Sequence, residues 1–271
     1  MSQANIDVAV VLAAGRGNRI AAVSSTPKPL LSITGRAGDD TFLDFHLRAL
    51  HGAGVKRVVL VGNHQTCGTR LRALDDVGGM AVEWVLNPTD DLSTSGSGHS
   101  MSFAWELGVL DGRSRVLLMD ADIVYEPRLL QRFRSDDDRS IDLVARGHAE
   151  TSEEVIVFSD GAAADVALRH GKGLIGTPLV AGLTQIGEAT GMVLLAPRDH
   201  ALARAATSWC LGFSTAKTRT EHEDVTQQLM SQRRVRIEAF DDALFMECDT
   251  PEEYAQMTTV LVPRLRALAG A

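Results

Sequence analysis

The chain has 271 residues, of which 45% are hydrophobic, and this is enough to bury the core of one large α/β domain. A formal net charge of −8 argues against nucleic acid or an anionic membrane as a partner. The widely spaced Cys67, Cys210 and Cys248 suggest neither a disulfide framework nor a zinc site. No basic-then-apolar leader pattern and no apolar run of about 18 residues is found, so we expect a cytoplasmic protein.

The first predicted strand runs into a basic loop that contains two glycines. Residues 8–13 are an unbroken apolar run, typical of a strand buried on both faces. Gly15-Arg16-Gly17 follows, and Pro27-Lys28-Pro29 comes later, so that backbone N–H groups and positive charge could meet a triphosphate. The alternative is a strand-to-helix turn with solvated arginines. A dinucleotide fingerprint needs a third glycine where Ile20 stands, which argues against a dehydrogenase.

Strand and helix patterns then alternate up to about residue 140. We predict a short strand at 31–36, a helix at 41–52, a strand at 55–63, a helix at 66–76 and a strand at 80–88. This order predicts right-handed parallel crossovers. The polar loop at 90–100, which leads into a helix at 101–107, has the composition of a flexible linker. We instead expect it to bind a nucleotide, because small residues and free N–H groups at a helix N-terminus suit one.

Two aspartates follow the next buried strand, at 114–119. If the strand continues, Asp120 and Asp122 lie on the same side of it. Ligands bind at the carboxyl ends of parallel strands, and paired carboxylates near a triphosphate favour Mg²⁺. Asp120 is the preferred ligand, because Asp122 could instead cap a helix predicted at 126–134.

The regular alternation stops after residue 140. The patterns predict a strand at 141–146, a hairpin at 155–158 and 164–168, a strand at 187–195, helices at 197–208 and 221–230, a strand at 234–240 and a last helix from Pro251. The predicted fold is therefore a three-layer α/β/α Rossmann-like single domain, with a mixed, mainly parallel sheet and a small antiparallel region. We expect residues 1–140 to bind the nucleotide, and residues 141–271 to bind the acceptor and supply the C-terminal helix.

Two motifs, residues 12–19 and Pro27-Lys28-Pro29-Leu30, resemble the signature of the nucleotidyltransferase superfamily, which couples an NTP to a phosphorylated small molecule and releases pyrophosphate. Over residues 8 to about 255 the chain is most similar to small cytidylyltransferases that act on phosphocholine, phosphonates or inositol phosphate. The resemblance implies Mg²⁺-dependent transfer from CTP. It implies Lys28 and Arg16 as catalytic residues, and as metal ligands Asp120 or Asp122 together with Asp249, with Glu247 a lesser candidate.

The candidate binding residues fall into two groups. For the nucleotide they are Leu12, Ala13, Ala14, Gly15, Arg16, Gly17, Lys28, Asn87, Ser97, Gly98, His99 and Ser100. For the acceptor they are Lys172, Glu188, Glu223 and Asp224. The carboxylates at the start of the helix at 221–230 would also stabilise the helix dipole without any other function.

Several alternatives stay open at this stage. The loop at 93–100 also resembles the Gly-Thr-x-His loop of uridylyl-transferring sugar enzymes, so a sugar-1-phosphate nucleotidylyltransferase that uses UTP is the main rival. A non-catalytic nucleotide sensor is the alternative from another class. Aromatic residues make up only 5% of the chain, which disfavours an aromatic cage for choline and leaves phosphonates and polyol phosphates as acceptors. A homodimer is compatible with the sequence.

Overall fold

The structure is a computed structural model that describes residues 5–15, 17–89, 95–134, 138–147, 154–161, 165–215, 219–232 and 235–269. Its strands are β1 (Val8–Ala13), β2 (Arg57–Gly62), β3 (Ala81–Leu86), β4 (Val116–Asp120), β5 (Ile123–Tyr125), β6 (Ile141–Ala145), β7 (Ile156–Ser159), β8 (Val166–Ala167), β9 (Arg169–Gly171), β10 (Thr184–Leu195), β11 (Val235–Phe240) and β12 (Phe245–Glu247). Its α-helices are α1 (Phe42–Gly52), α2 (Ser97–Glu106), α3 (His200–Gly212), α4 (His222–Gln232), α5 (Pro251–Gln256) and α6 (Val262–Ala269).

A ten-stranded sheet runs through the molecule in the order β3-β2-β1-β4-β10-β6-β11-β8, with β7 paired to β10 and β9 paired to β7. Strands β3, β2, β1 and β4 are parallel, as are β6 and β11. The long strand β10 runs antiparallel between β4 and β6 and joins the two parallel groups. Strands β5 and β12 form a separate antiparallel pair.

The two faces of this sheet are covered by different helices. Along β1, Ala9 and Val11 pack in a cluster with α1, whereas Val10 and Leu12 pack in a second cluster with α2, α3 and α4. Successive strand residues point to opposite faces, and this explains why a strand buried on both sides is apolar throughout. The predicted three-layer α/β/α fold with a mixed sheet is confirmed.

A third hydrophobic cluster packs the C-terminal helices against residues from the first half of the chain. Ile20, Phe42, Val124, Cys248 and Met257 are buried together there. A π-helical turn, Met257–Leu261, connects α5 to α6. Thr250 caps α5 in a capping box with Glu253, and Pro251 is at the first turn, as the sequence predicts. The segment that carries Asp249 is therefore fixed on both sides.

Several predicted elements were wrong in type. Residues 31–36 form turns with one isolated bridge between Ser32 and Thr41, and not a strand, because Gly35 and Gly38 adopt positive φ. Residues 66–76 contain only a 3₁₀ turn, Arg72–Asp75, after Gly68 at φ 77°. The helix predicted at 126–134 is also a 3₁₀ helix, Pro127–Phe133.

Other predicted elements were shifted in position. Helix α2 begins at Ser97 rather than 101, and α3 begins at His200 after a 3₁₀ turn, Pro197–Asp199. The hairpin partner of β7 is β9, while β8 pairs with β11. Residues 90–94, 164 and 234, which belong to predicted elements, lie outside the described residues.

Within the part of the chain that the structure describes, no helix is both long enough and apolar enough to cross a membrane. The cytoplasmic location, the single-domain organisation and the homodimer stay predictions.

Candidate active site

A cleft of about 960 Å³ opens at the carboxyl ends of β1 and β4, where Ala14 and Asp120 lie on its wall. Among the predicted nucleotide-binding residues, those that line it are Leu12, Ala14, Gly15, Gly17, Lys28, Asn87, Ser97 and Ser100. Ala13, Gly98 and His99 are not on its wall: Ala13 packs in the core, and Gly98 packs against Thr220. Arg16 lies outside the described residues.

The loop after β1 is shaped so that Lys28 can approach it closely. Gly17 has φ 63°, in the left-handed region that favours glycine. A Cβ atom at this position would also fall 2.7 Å from the Cβ of Lys28. Asn63 fixes the start of the loop, because its side-chain amide donates to the carbonyl of Ala14 at 2.8 Å. Glycine is therefore required here for both conformation and space.

Lys28 is buried between two carboxylates. Its Nζ lies 2.6 Å from Oδ2 of Asp122 and 2.5 Å from Oδ1 of Asp249, and its side chain is only 8% exposed. Burial opposes the charge of Lys28, but Asp122 and Asp249 outweigh it and raise the pKa of Lys28 above its usual range. Arg19 adds a second cation at 2.5 Å from Asp249. Lys28 therefore stays charged on the wall of the cleft.

The small β5–β12 sheet brings distant carboxylates together. Ile123 pairs with Glu247, and the N–H of Cys248 donates to the carbonyl of Asp122 at 3.0 Å. Oxygens of Asp122, Glu247 and Asp249 consequently all lie within 4.8 Å of one another. Burial, and then Asp122 and Asp249, raise the pKa of Glu247 well above its usual value. This cluster of carboxylate oxygens is a donor set that fits a hard cation such as Mg²⁺.

Asp120 lies in a different environment from Asp122. Its Oδ2 is 2.9 Å from Nε2 of His222, the first residue of α4. Gly191 leaves room for Asp120, since a Cβ at Gly191 would be 2.4 Å from the same oxygen. Burial acts against a charged imidazole, but Asp120 and Glu223 raise the pKa of His222 to about 10. Asp120 is thus paired with an imidazolium rather than with Lys28.

The N-terminus of α2 is closed by the segment before α4. The N–H and hydroxyl of Ser97 donate to Glu221 at 2.7 and 2.8 Å, and the N–H of Gly98 donates to the carbonyl of Thr220 at 3.0 Å. A Cβ at Gly96 would lie 2.2 Å from that carbonyl. The expectation that these N–H groups are free for a nucleotide is therefore wrong for Ser97 and Gly98, because residues of the second half of the chain already use them.

The remaining nucleotide and acceptor candidates have distinct positions. Asn87 is buried and donates to the hydroxyl of Ser100 at 3.1 Å. Lys172, Glu223 and Asp224 line the cleft, whereas Glu188 lies on β10 outside its wall. Burial, and then nearby carboxylates, raise the pKa of Glu188 to about 7.

Three histidines and one buried aspartate near the cleft escaped prediction. The Nε2–H of His46 donates to the carbonyl of Ala121 (3.2 Å), and the Nε2–H of His170 donates to the carbonyl of Glu223 (2.8 Å). Asp142 interrupts the apolar run of β6. A charged residue inside a buried strand is unusual, so the sequence could have indicated Asp142 as a candidate functional residue. His222 had only its neighbouring carboxylates as a signal.

The cleft brings the glycine-containing loop after β1 and the carboxylate cluster together at the carboxyl ends of β1 and β4. A family model, the MobA-like NTP transferase domain, matches residues 9–174, which is more than half of the chain. The chain therefore belongs to this family, and its predicted membership of the nucleotidyltransferase superfamily is confirmed.

One curated relative is similar to part of the chain. The CMP-5'-(3-aminopropyl)phosphonate synthase of Streptomyces rubellomurinus is 38% identical over 133 residues, which make up 49% of this chain and 20% of the relative. The chain thus matches about a fifth of that relative's length.

Solved structures support the fold across nearly the whole chain. The inositol-1-phosphate CTP transferase from T. maritima has a TM-score of 0.68 at 20% identity and covers 95% of this chain and 97% of its own. A UDP-glucose pyrophosphorylase complexed with UDP-glucose has a TM-score of 0.73 at 16% identity, with 96% and 99% covered. At such identities the likeness shows the fold alone.

Proposed function

We propose that the chain is a Mg²⁺-dependent cytidylyltransferase that joins CTP to a small molecule bearing a phosphonate or phosphate, with release of pyrophosphate. The observation that carries the proposal is the position of Lys28 between Asp122 and Asp249, beside the Gly15–Gly17 loop. The name of the Streptomyces rubellomurinus relative, a CMP-phosphonate synthase, supports both CTP and a phosphonate.

The proposed reaction is an in-line displacement at the α-phosphorus of CTP. An oxygen of the ionised phosphonate or phosphate forms the new P–O bond, while the bond to the bridging oxygen of pyrophosphate breaks. An ionised oxyanion needs no general base, so catalysis rests on alignment and on neutralising charge. No covalent intermediate with the protein is expected.

The carboxylate cluster is the proposed metal site. Asp122 and Asp249 would hold Mg²⁺, with Glu247 as a third donor, and Asp120 is a weaker candidate because it is not part of the group of carboxylates whose oxygens lie within 4.8 Å of one another. Mg²⁺ bound there would neutralise charge on the triphosphate. Lys28, and in our proposal Arg16, would contact phosphate oxygens from the loop side.

A second candidate is a UTP-dependent sugar-1-phosphate nucleotidylyltransferase. The UDP-glucose pyrophosphorylase structures favour it, because their folds cover 96% of this chain. Chemistry at the α-phosphorus would be the same, and only the base and the acceptor would differ.

Pyrophosphate release separates these possibilities. The four NTPs should be crossed with alkylphosphonates, aminoalkylphosphonates, phosphocholine, inositol phosphate and sugar-1-phosphates, with Mg²⁺ or with EDTA. We expect release with CTP and a phosphonate, and none in EDTA. Release only with UTP and a sugar-1-phosphate would favour the second candidate. Nucleotide binding without any release would indicate a sensor.

A further inference from the structure

A small side chamber adjoins the cleft on the acceptor side. It has a volume of about 30 Å³ and is lined by Asp120, Asp142, Val155, His170, Lys172, Ala189, Gly191, Val193, His222, Glu223 and Glu247. Six of these residues, Asp120, His170, Lys172, His222, Glu223 and Glu247, also line the main cleft. The chamber is therefore next to the proposed acceptor site and not an isolated void.

An irregularity in the central sheet forms this chamber. The pairing of β10 with β6 shifts register between Ala189 and Val193, and Gly191 in the shifted stretch has φ 71°. A bulge of this kind redirects side chains and is common beside functional sites. Asp142 on β6 pairs with Val193, at the end of the shifted stretch. The register shift thus lies next to a buried carboxylate.

The chamber contains acceptor oxygens that lack donors. Asp142 is fully buried, and among the described residues neither of its carboxylate oxygens has a hydrogen-bond partner. The same holds for Oε2 of Glu223. Each carboxylate faces a histidine in an ion pair without hydrogen-bond geometry: Nδ1 of His170 lies 3.4 Å from Oδ2 of Asp142, and Nε2 of His222 lies 3.6 Å from Oε2 of Glu223. A buried carboxylate without hydrogen-bond donors destabilises the folded protein. A ligand with N–H or O–H groups would supply the missing donors.

We propose that the chamber binds a primary ammonium group at the end of the acceptor, while the phosphonate or phosphate of the same molecule lies in the cleft. This inference rests on the proposed function. An ammonium group carries three N–H donors, which matches the two oxygens of Asp142 and the one of Glu223. Its positive charge also suits Asp142 and Glu223, whose oxygens have no hydrogen-bond partner among the described residues.

The size of the chamber makes the inference selective. A cavity of about 10–15 Å³ holds one water molecule, so 30 Å³ accommodates an ammonium group of similar size. A trimethylammonium group is larger and has no N–H donor. The chamber should therefore favour primary amines over quaternary ones, and water is the competing occupant.

The test compares three phosphonates of matched length with the wild-type protein, CTP and Mg²⁺. They are 3-aminopropylphosphonate, butylphosphonate, in which a methyl group replaces the ammonium, and 3-(trimethylammonio)propylphosphonate. We expect kcat/KM for pyrophosphate release to be about 10- to 100-fold higher for the primary amine than for either of the others, because it alone makes charge-assisted hydrogen bonds.

Asp142→Asn keeps the shape of the side chain and removes its charge. In this variant the ratio of kcat/KM for the amine to kcat/KM for butylphosphonate should fall to about one. Asp199→Asn is the matched control, because Asp199 is also buried but accepts from Ser140, the residue before β6, and lines neither the cleft nor the side chamber. It should keep the wild-type preference.

Two outcomes separate failure of the chamber from failure of the proposed function. Equal kcat/KM for the amine and its methyl analogue in the wild type would overturn the ammonium site while leaving the cytidylyltransferase intact. If no phosphonate releases pyrophosphate, titration calorimetry of the same three phosphonates decides the point. Tighter binding of the amine, lost in D142N, supports the chamber alone, and equal binding contradicts it.

Discussion

Asp120 and Asp122 are two residues apart, yet they belong to different chemical environments. Asp122 contacts Lys28 and lies with Glu247 and Asp249 in the carboxylate cluster. Asp120 contacts His222 and borders the side chamber. The first environment suits a metal ion and phosphates, and the second borders the chamber that we propose for the acceptor.

The backbone between them explains the separation. Strand β4 ends at Asp120, and β5 begins at Ile123 in a different sheet, paired with β12. His46 holds the carbonyl of Ala121 at this break. A rule that places residues i and i+2 on one side of a strand therefore fails here, because the strand does not continue. Position in the fold, rather than spacing, separates the two carboxylates.

The largest effect on activity is expected for Lys28→Ala, which removes the cation that contacts Asp122. Loss of a preorganised charge at the phosphates should lower kcat for pyrophosphate release by about a thousandfold. The control is Lys56→Ala, an exposed lysine before β2, which should have wild-type activity. Circular dichroism would verify that the fold is retained. Near-wild-type turnover of K28A would remove Lys28 from the mechanism.

A smaller effect concerns His46, which contacts Ala121 between β4 and β5. It is measured as the pH dependence of the free energy of unfolding. Burial lowers the pKa of His46 to about 4, against about 6.5 in an unfolded chain. Below pH 6.5 His46 is protonated in the unfolded state, whereas in the folded state it stays neutral down to about pH 4. The free energy of unfolding therefore decreases as the pH falls. Between pH 7 and 4.5 this contribution is about 2 to 3 kcal/mol.

Urea unfolding of the wild type and of His46→Gln over this pH range measures the difference. The variant should lose less stability on acidification by about that amount. His51→Gln, at the exposed end of the same helix, should follow the wild type. Parallel pH curves for wild type and H46Q would contradict a buried neutral His46.

The first half of the fold could be predicted because its signals are long and local. The apolar run at 8–13, the capped helix from Thr41 and the strand that follows it all appear as predicted, with Thr41 accepting from the N–H of Asp44. Lys28 and Asp249 are 221 residues apart, and only the resemblance to a known superfamily assigned both to the active site; the ion pair between them was not predicted.

The parts of the fold and of the site that were not predicted depend on strand pairs that are too short to produce a sequence pattern. Strands β5 and β12 have three residues each, and this length is below any periodicity that could distinguish them from a loop. Their pairing determines which aspartate joins the carboxylate cluster. Likewise, Gly96 and Gly98 appear in sequence as a flexible or nucleotide-binding stretch, whereas their small size accommodates Thr220 from a distant segment.

The smallest effect tests whether Asp120 and Asp122 have different roles. It is measured as the Mg²⁺ dependence of three matched variants. Asp122→Asn and Asp249→Asn weaken a carboxylate donor of the cluster, so the Mg²⁺ concentration for half-maximal activity should rise by at least about tenfold. Asp120→Asn should leave that concentration within about twofold and instead raise KM for the acceptor, because it loosens His222 beside Glu223. Pyrophosphate release in a Mg²⁺ titration at fixed CTP gives both quantities. A Mg²⁺ shift in D120N equal to that in D122N would mean that both aspartates serve the metal, and that the break after β4 does not separate their roles.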